Sequence, residues 1–371
     1  MENTPKLQKQ YDHVLIGYNL SSITFAYELF KRDESFCVID SRHFGSNSAK
    51  YIPSLETLIS TRVPFNTPIE SKDDLSLTLF GDISLNEGPP MTFDKGDFKS
   101  FLGFGEAKVN AMDAVAPYCS ATNSQPRLQS EDFWNKILEC TQNNIFLDQQ
   151  ITDIEYSEDG INQIMLNAKT PLRGKKFYFF GQFPFLFEKL GSEMKKQASQ
   201  FAKATWYSSV NLVIHHKSEP AKAIVDQLYL LMGSKAQPCL GQFSKIKGHW
   251  VSRWESFFLS ELAADSETTG VALKEIKKQI KRAFPVESAQ TDPEHILLHD
   301  HVFSELEKTG IKNGKLSHFN NLFIYSPLFN NKLGWAHEIL TGLQATSDLE
   351  SSSEKNREVP AIEVAAPGSP C

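Results

Sequence analysis

Between residues 11 and 40 the apolar positions change their period twice. Tyr11 to Gly17 (YDHVLIG) closes on an unbroken apolar run, Leu20 to Arg32 places Ile23, Tyr27 and Phe30 on one side of a helix, and Phe36 to Asp40 is apolar again. A short unbroken run reads as a strand buried on both faces, and a three-to-four spacing reads as a helix with one buried side. The pattern predicts strand, helix and strand within one compact unit.

Later segments repeat both patterns at wider spacing. Gly45 to Pro90 is rich in Ser, Thr, Asp and Pro and predicts irregular, ligand-covering loops with a few strands. Gln129 to Thr141 has helical spacing through Phe133, Ile137 and Cys140, with Ser130 as a candidate N-cap. Asn144 to Leu147, Gln150 to Tyr156 and Ile161 to Asn167 alternate like strands, with a turn at Glu158-Asp159-Gly160, and predict a hairpin or small meander. Lys175 to Gly181 predicts a buried strand, and after it a proline interrupts the apolar run Phe183 to Phe187. Trp206 to His215 predicts a strand, Val271 to Phe284 an amphipathic helix with a solvated basic face, Asn321 to Tyr325 a strand, and Gly334 to Ala345 a helix. Ser347 to Cys371, rich in Ser, Glu and Pro, predicts a disordered tail. No internal repeat is present.

At 371 residues the chain is long enough for two domains, and 40% hydrophobic with 22% charged residues is ordinary for a globular protein. A net charge of -7 argues against a nucleic-acid partner. The five cysteines are scattered, with no CxxC pair and no nearby histidine at ligand spacing, so reduced thiols and no metal site are expected. The run Val14-Leu15-Ile16 is too short for a signal-peptide core or a membrane span, which points to the cytoplasm.

Candidate chemistry sits at the junctions of the first unit. A dinucleotide turn uses G-x-G-x-x-G so that backbone can approach a pyrophosphate and helix can meet sheet. Here Gly17-Tyr18-Asn19-Leu20-Ser21-Ser22 keeps only the first glycine. Asn19 tolerates a left-handed backbone, Ser22 is small, and the helix N-terminus beginning at Leu20 offers amides whatever its side chains are. Asp40 ends the second strand twenty-three residues after Gly17, where an acid would accept hydrogen bonds from ribose hydroxyls.

These residues, YDHVLIGYNLSSITFAYELFKRDESFCVIDSRHFGSN, resemble the FAD-dependent amine oxidase-like flavoproteins, relatives of protoporphyrinogen oxidase, phytoene desaturase and UDP-galactopyranose mutase. The resemblance spans roughly residues 10 to 346 and implies an α/β fold: a Rossmann-like FAD/NAD(P)-binding parallel sheet with a β-meander, and a second α+β substrate domain. It implies a discontinuous FAD domain at 10–60, 130–190 and 315–346, and a substrate or cap domain at 61–129 and 191–314. By the same likeness Ser41 would belong to the cofactor site, Arg42 would lie near the pyrophosphate and Gly45 would carry the loop past the flavin. Ile151 would meet the adenine through its backbone, and Ser326 and Gly334 would belong to the C-terminal flavin segment. Ser326-Pro327 departs from the family's Gly-Asp, and a proline there can neither donate nor carry charge.

No catalytic residue carries over. His215 and His216 point to opposite faces of a strand, and His295, His299 and His301 have no element that clearly gathers them. Three readings stay open: a FAD-dependent oxidoreductase acting on a small or medium, partly apolar substrate; a non-catalytic binding protein on a degenerate flavoprotein fold; and a mutase-like, non-redox flavoenzyme.

Overall fold

The computed structural model describes residues 6–41, 89–103 and 137–355, apart from short gaps at 182, 192–193, 222, 225–226, 233–237, 247, 290, 305–310, 317, 331 and 333. The expected loops of Gly45 to Pro90 fall almost wholly outside these residues, as do Arg42, Gly45 and most of the helix expected from Gln129, of which residues 137–141 are helical.

The opening unit forms as its pattern predicts: β1 (Gln10–Ile16), α1 (Leu20–Lys31) and β2 (Phe36–Ile39). Two short antiparallel strands follow, β3 (Met91–Asp94) and β4 (Asp97–Ser100), and then β5 (Ile145–Phe146). β6 (Ile151–Ser157), β7 (Gly160–Leu166) and β8 (Thr170–Phe179) form an antiparallel meander that delivers β8 to the parallel sheet. Two helices, α2 (Phe183–Lys189) and α3 (Lys195–Lys203), lead out of it. Pro184 sits in the first turn of α2, where its missing amide costs no hydrogen bond.

The next stretch builds a second sheet from β9 (Trp206–His216), β10 (Tyr229–Met232), β11 (Pro238–Ile246), β12 (His249–Leu259) and β13 (Thr291–Ser304), with α4 (Ser266–Ala283) between the last two strands. The chain then returns to the first sheet through β14 (Gly314–Lys315) and β15 (Leu322–Ile324) and closes with α5 (Trp335–Lys355). The first sheet has the order β14-β15-β8-β1-β2-β5, with β1, β2, β5, β8 and β15 running parallel. The second runs β13-β9-β12-β11-β10-β3-β4 and is largely antiparallel.

Both faces of the parallel sheet are covered, which is why its strands read as unbroken apolar runs. Leu15, Val38, Tyr178 and Phe323 face α1 and α5. Val14, Ile16, Phe177, Phe179 and Ile324 face the meander and α2. The rings of Tyr178 and Phe323 stack across neighbouring strands at 4.8 Å.

The tail expected from Ser347 is helical as far as Lys355. Its polar residues hid the reason, which is contact with the first sheet. Leu349 packs on the core under α1, and Asp348 Oδ2 accepts from the buried hydroxyl of Tyr325 at 2.7 Å. That partner is the acceptor a buried phenol needs. Asp348→Ala should therefore lower stability by about 1–3 kcal/mol, read as a fall in thermal midpoint; an unchanged midpoint would remove the tail from the folded unit.

Candidate functional site

The candidate site lies where β1 turns into α1 at the end of the parallel sheet. Gly17 has a φ of +104°, and a Cβ there would meet Gly181 N at 3.2 Å, so both its backbone angle and its neighbour favour glycine. Asn19 caps α1: its Oδ1 accepts from Ser22 N at 3.0 Å, while Ser22 Oγ accepts from Asn19 N at 3.1 Å. This is a reciprocal capping box with Ser in the place of the usual Glu. Asn19 Nδ2 also donates to Phe180 O at 2.8 Å, which ties the turn to the end of β8.

Asp40 stands at the end of β2 as its spacing predicts. Its carboxylate is buried and Oδ2 accepts from Tyr18 N at 2.6 Å, so it holds the turn from the β2 side. From the opposite side comes Glu338, in the first turn of α5, whose Oε2 accepts from Leu20 N at 3.1 Å. Ser21 Oγ donates to the backbone oxygen of the same residue at 2.7 Å. One helical turn on, Gly342 lets α5 cross α1 closely, since a Cβ there would lie 2.4 Å from Ser21 O.

A dinucleotide pyrophosphate held as the resemblance implies needs the amides of this turn and the open end of α1. The amides of Gly17, Tyr18, Asn19, Leu20 and Ser22 donate instead to Ile39, Asp40, Ser22, Glu338 and Asn19. Every residue from Gly17 to Ser22 is buried. The carboxylate of Glu338 stands at the helix end itself and would repel a phosphate there. The described residues therefore do not fit the pyrophosphate of FAD at this helix end.

The other expected site residues are dispersed. Ser41 is exposed just beyond β2, and Ile151 begins β6 with its side chain in the core under the meander. Ser326 donates its amide to Asn313 Oδ1 at 2.8 Å, and its Oγ accepts from Leu328 N at 3.2 Å as Pro327 opens a short 3-10 turn. Gly334, at a φ of +99°, accepts from Glu338 N and starts α5. Of the histidines, His215 lies against His295 with ring centroids 5.4 Å apart, while His216 meets Ser252 Oγ at 2.7 Å on the opposite face of β9. His295, His299 and His301 fall on β13, a strand their local sequence did not reveal. Among the described residues no group of three or more acid, Cys or His side chains could hold a metal ion.

Sequence reading missed Glu338 and also Glu255. Glu255 lies in the middle of β12, opposite Asn211 of β9, and is fully buried. Ser209 Oγ donates to its Oε1 at 2.5 Å, but among the described residues its Oε2 and the Oδ1 of Asn211 have no hydrogen-bond partner. Burial raises its carboxyl to about 8, with the Ser209 bond pulling the other way. A buried acid between strands of a sheet leaves no local motif, since only tertiary pairing places it there.

The structure gives Asn19 and Ser22 a role as helix caps, so restoring glycines should cost stability. Asn19→Ala should destabilise by about 1–2 kcal/mol in urea titrations, and no loss would mean that the cap is not used. Glu255→Gln tests the buried acid. A carboxyl raised on folding favours the native state below its unfolded pKa and loses that contribution as pH climbs towards about 8. The variant should gain on the parent by about 3–4 kcal/mol between roughly pH 5 and pH 8; a pH-independent difference would sink the assignment.

No family model matches the chain, and no curated protein matches it in sequence. Solved structures do match its fold. Cyclohexylamine oxidase from Brevibacterium oxydans superposes with a TM-score of 0.59 at 11% identity, over 93% of this chain and 99% of that one. An oxidoreductase from Methanosarcina mazei gives 0.57 at 10% identity, over 91% and 100%. An FAD-dependent oxidoreductase from Pseudomonas aeruginosa gives 0.54 at 9% identity, over 98% and 96%. At such identities the likeness concerns architecture, and in architecture this chain has the fold of the FAD-dependent, amine oxidase-like flavoproteins.

Proposed function

We infer that this chain uses the flavoprotein fold as a binding scaffold and does not hold FAD through its first helix. The observation that carries the reading is the carboxylate of Glu338 on Leu20 N, at the end of α1 where a dinucleotide phosphate would otherwise seat. The capping box and the Asp40 bond to Tyr18 N support it, because they satisfy the amides of Tyr18, Asn19 and Ser22 from within the chain. The ligand expected on this scaffold is a small molecule. No helix among the described residues is long and apolar enough to cross a membrane.

A second reading, a FAD-dependent oxidoreductase acting on a small or medium, partly apolar substrate, is supported by the fold likeness to amine-oxidising and other FAD-dependent enzymes. The two separate in one experiment. The purified chain should be colourless in the visible range, and titration with FAD or ADP should give no saturable heat at ligand concentrations up to about 100 μM, where even a micromolar site would be filled. A yellow protein that releases FAD on denaturation would establish the second reading instead.

A further inference from the structure

The closed end of α1 has a physical consequence beyond the loss of a cofactor contact. A helix N-terminus leaves amides without intrahelical partners and carries the positive end of the helix dipole. In this fold that end lies at the carboxyl ends of the parallel strands, where Leu20, Ser21 and Ser22 are buried. Glu338 supplies a carboxylate there from the first turn of another helix, and so stands near the positive ends of α1 and α5 together. Its backbone oxygen accepts from Ser21 Oγ, so both side chain and main chain of one residue grip the first turn of α1. Gly342, one turn further along α5, lets the two helices meet closely enough for that grip.

We propose that Glu338 is the resident anion of this fold, its carboxylate taking the position of a dinucleotide phosphate at the N-terminus of α1 and latching α5 to α1. The proposal rests on the reading above, that the turn of the parent chain holds no dinucleotide. It accounts for a chain that keeps the flavoprotein architecture while losing glycines at its turn. The anion that the helix end requires comes from the polypeptide, and close backbone approach to a ligand is no longer needed at positions 19 and 22.

The test is anion rescue of the full chain, freed of any flavin. Thermal midpoints of the parent and of Glu338→Ala are compared in sodium chloride and in sodium phosphate at matched ionic strength. Removal of the carboxylate should lower the midpoint by about 2–4 °C. Phosphate stabilises most proteins by exclusion from their surface, so the informative quantity is the extra gain in the variant. Phosphate should restore most of the loss in Glu338→Ala beyond its effect on the parent. A variant that melts with the parent, or a phosphate effect equal in both, would overturn the proposal. Should Glu338→Ala fail to fold, Glu338→Gln keeps the side-chain length and an acceptor but no charge; it should melt between parent and alanine variant with the same phosphate-specific gain, and parental behaviour would overturn the proposal. FAD found on the parent chain would instead defeat the scaffold reading, an outcome that this comparison on flavin-free protein does not affect.

Discussion

The amide protons at the start of α1 cannot be satisfied by α1, and much of the molecule is arranged to satisfy them. The parallel sheet forces α1 to begin at the carboxyl ends of its strands, where the helix end is buried and polarised. Partners arrive from β2 through Asp40, from the helix itself through Asn19 and Ser22, and from the C-terminal helix through Glu338. The last of these joins residues 318 positions apart in sequence, so the closing of the helix end is also what ties the returning chain to its beginning. Tyr325 and Asp348 extend the same seam, with the phenol of the last parallel segment held by the middle of α5.

The second sheet answers a different constraint. One side of it packs on α4 through Val210, Leu212, Ile214, Trp254, Ile276 and Ile280. Glu255 and Asn211, paired across β12 and β9, carry acceptor atoms without donors among the described residues, in an interior where each costs free energy. A buried acid with one oxygen left over is uncommon in a stable core, and this one stands in the second sheet, away from the β1–α1 turn.

Asp40 was legible because two strands and the intervening helix set a spacing that few other arrangements share, and its carboxylate does face the turn. The partner was not legible: a ribose and the amide of Tyr18 make the same demand on an acid at that position. Asn19 and Ser22 look in sequence like damaged glycines, whereas in space they form a reciprocal cap. Strands β10 and β12 escaped the pattern because most of their residues are buried, which erases alternation, and β13 mixes histidines with apolar residues.

What the sequence alone determined is local: the βαβ unit, the meander, the strand and helix of the C-terminal segment, and through them the flavoprotein architecture. These follow from hydrophobic period and turn chemistry, which act over a few residues at a time. The extension of α5 to Lys355 and the occupant of the α1 N-terminus were decided only by tertiary structure. A polar residue acquires its partner from whatever the fold brings beside it, and Glu338 became the counter-charge of α1 only when the last helix crossed the first.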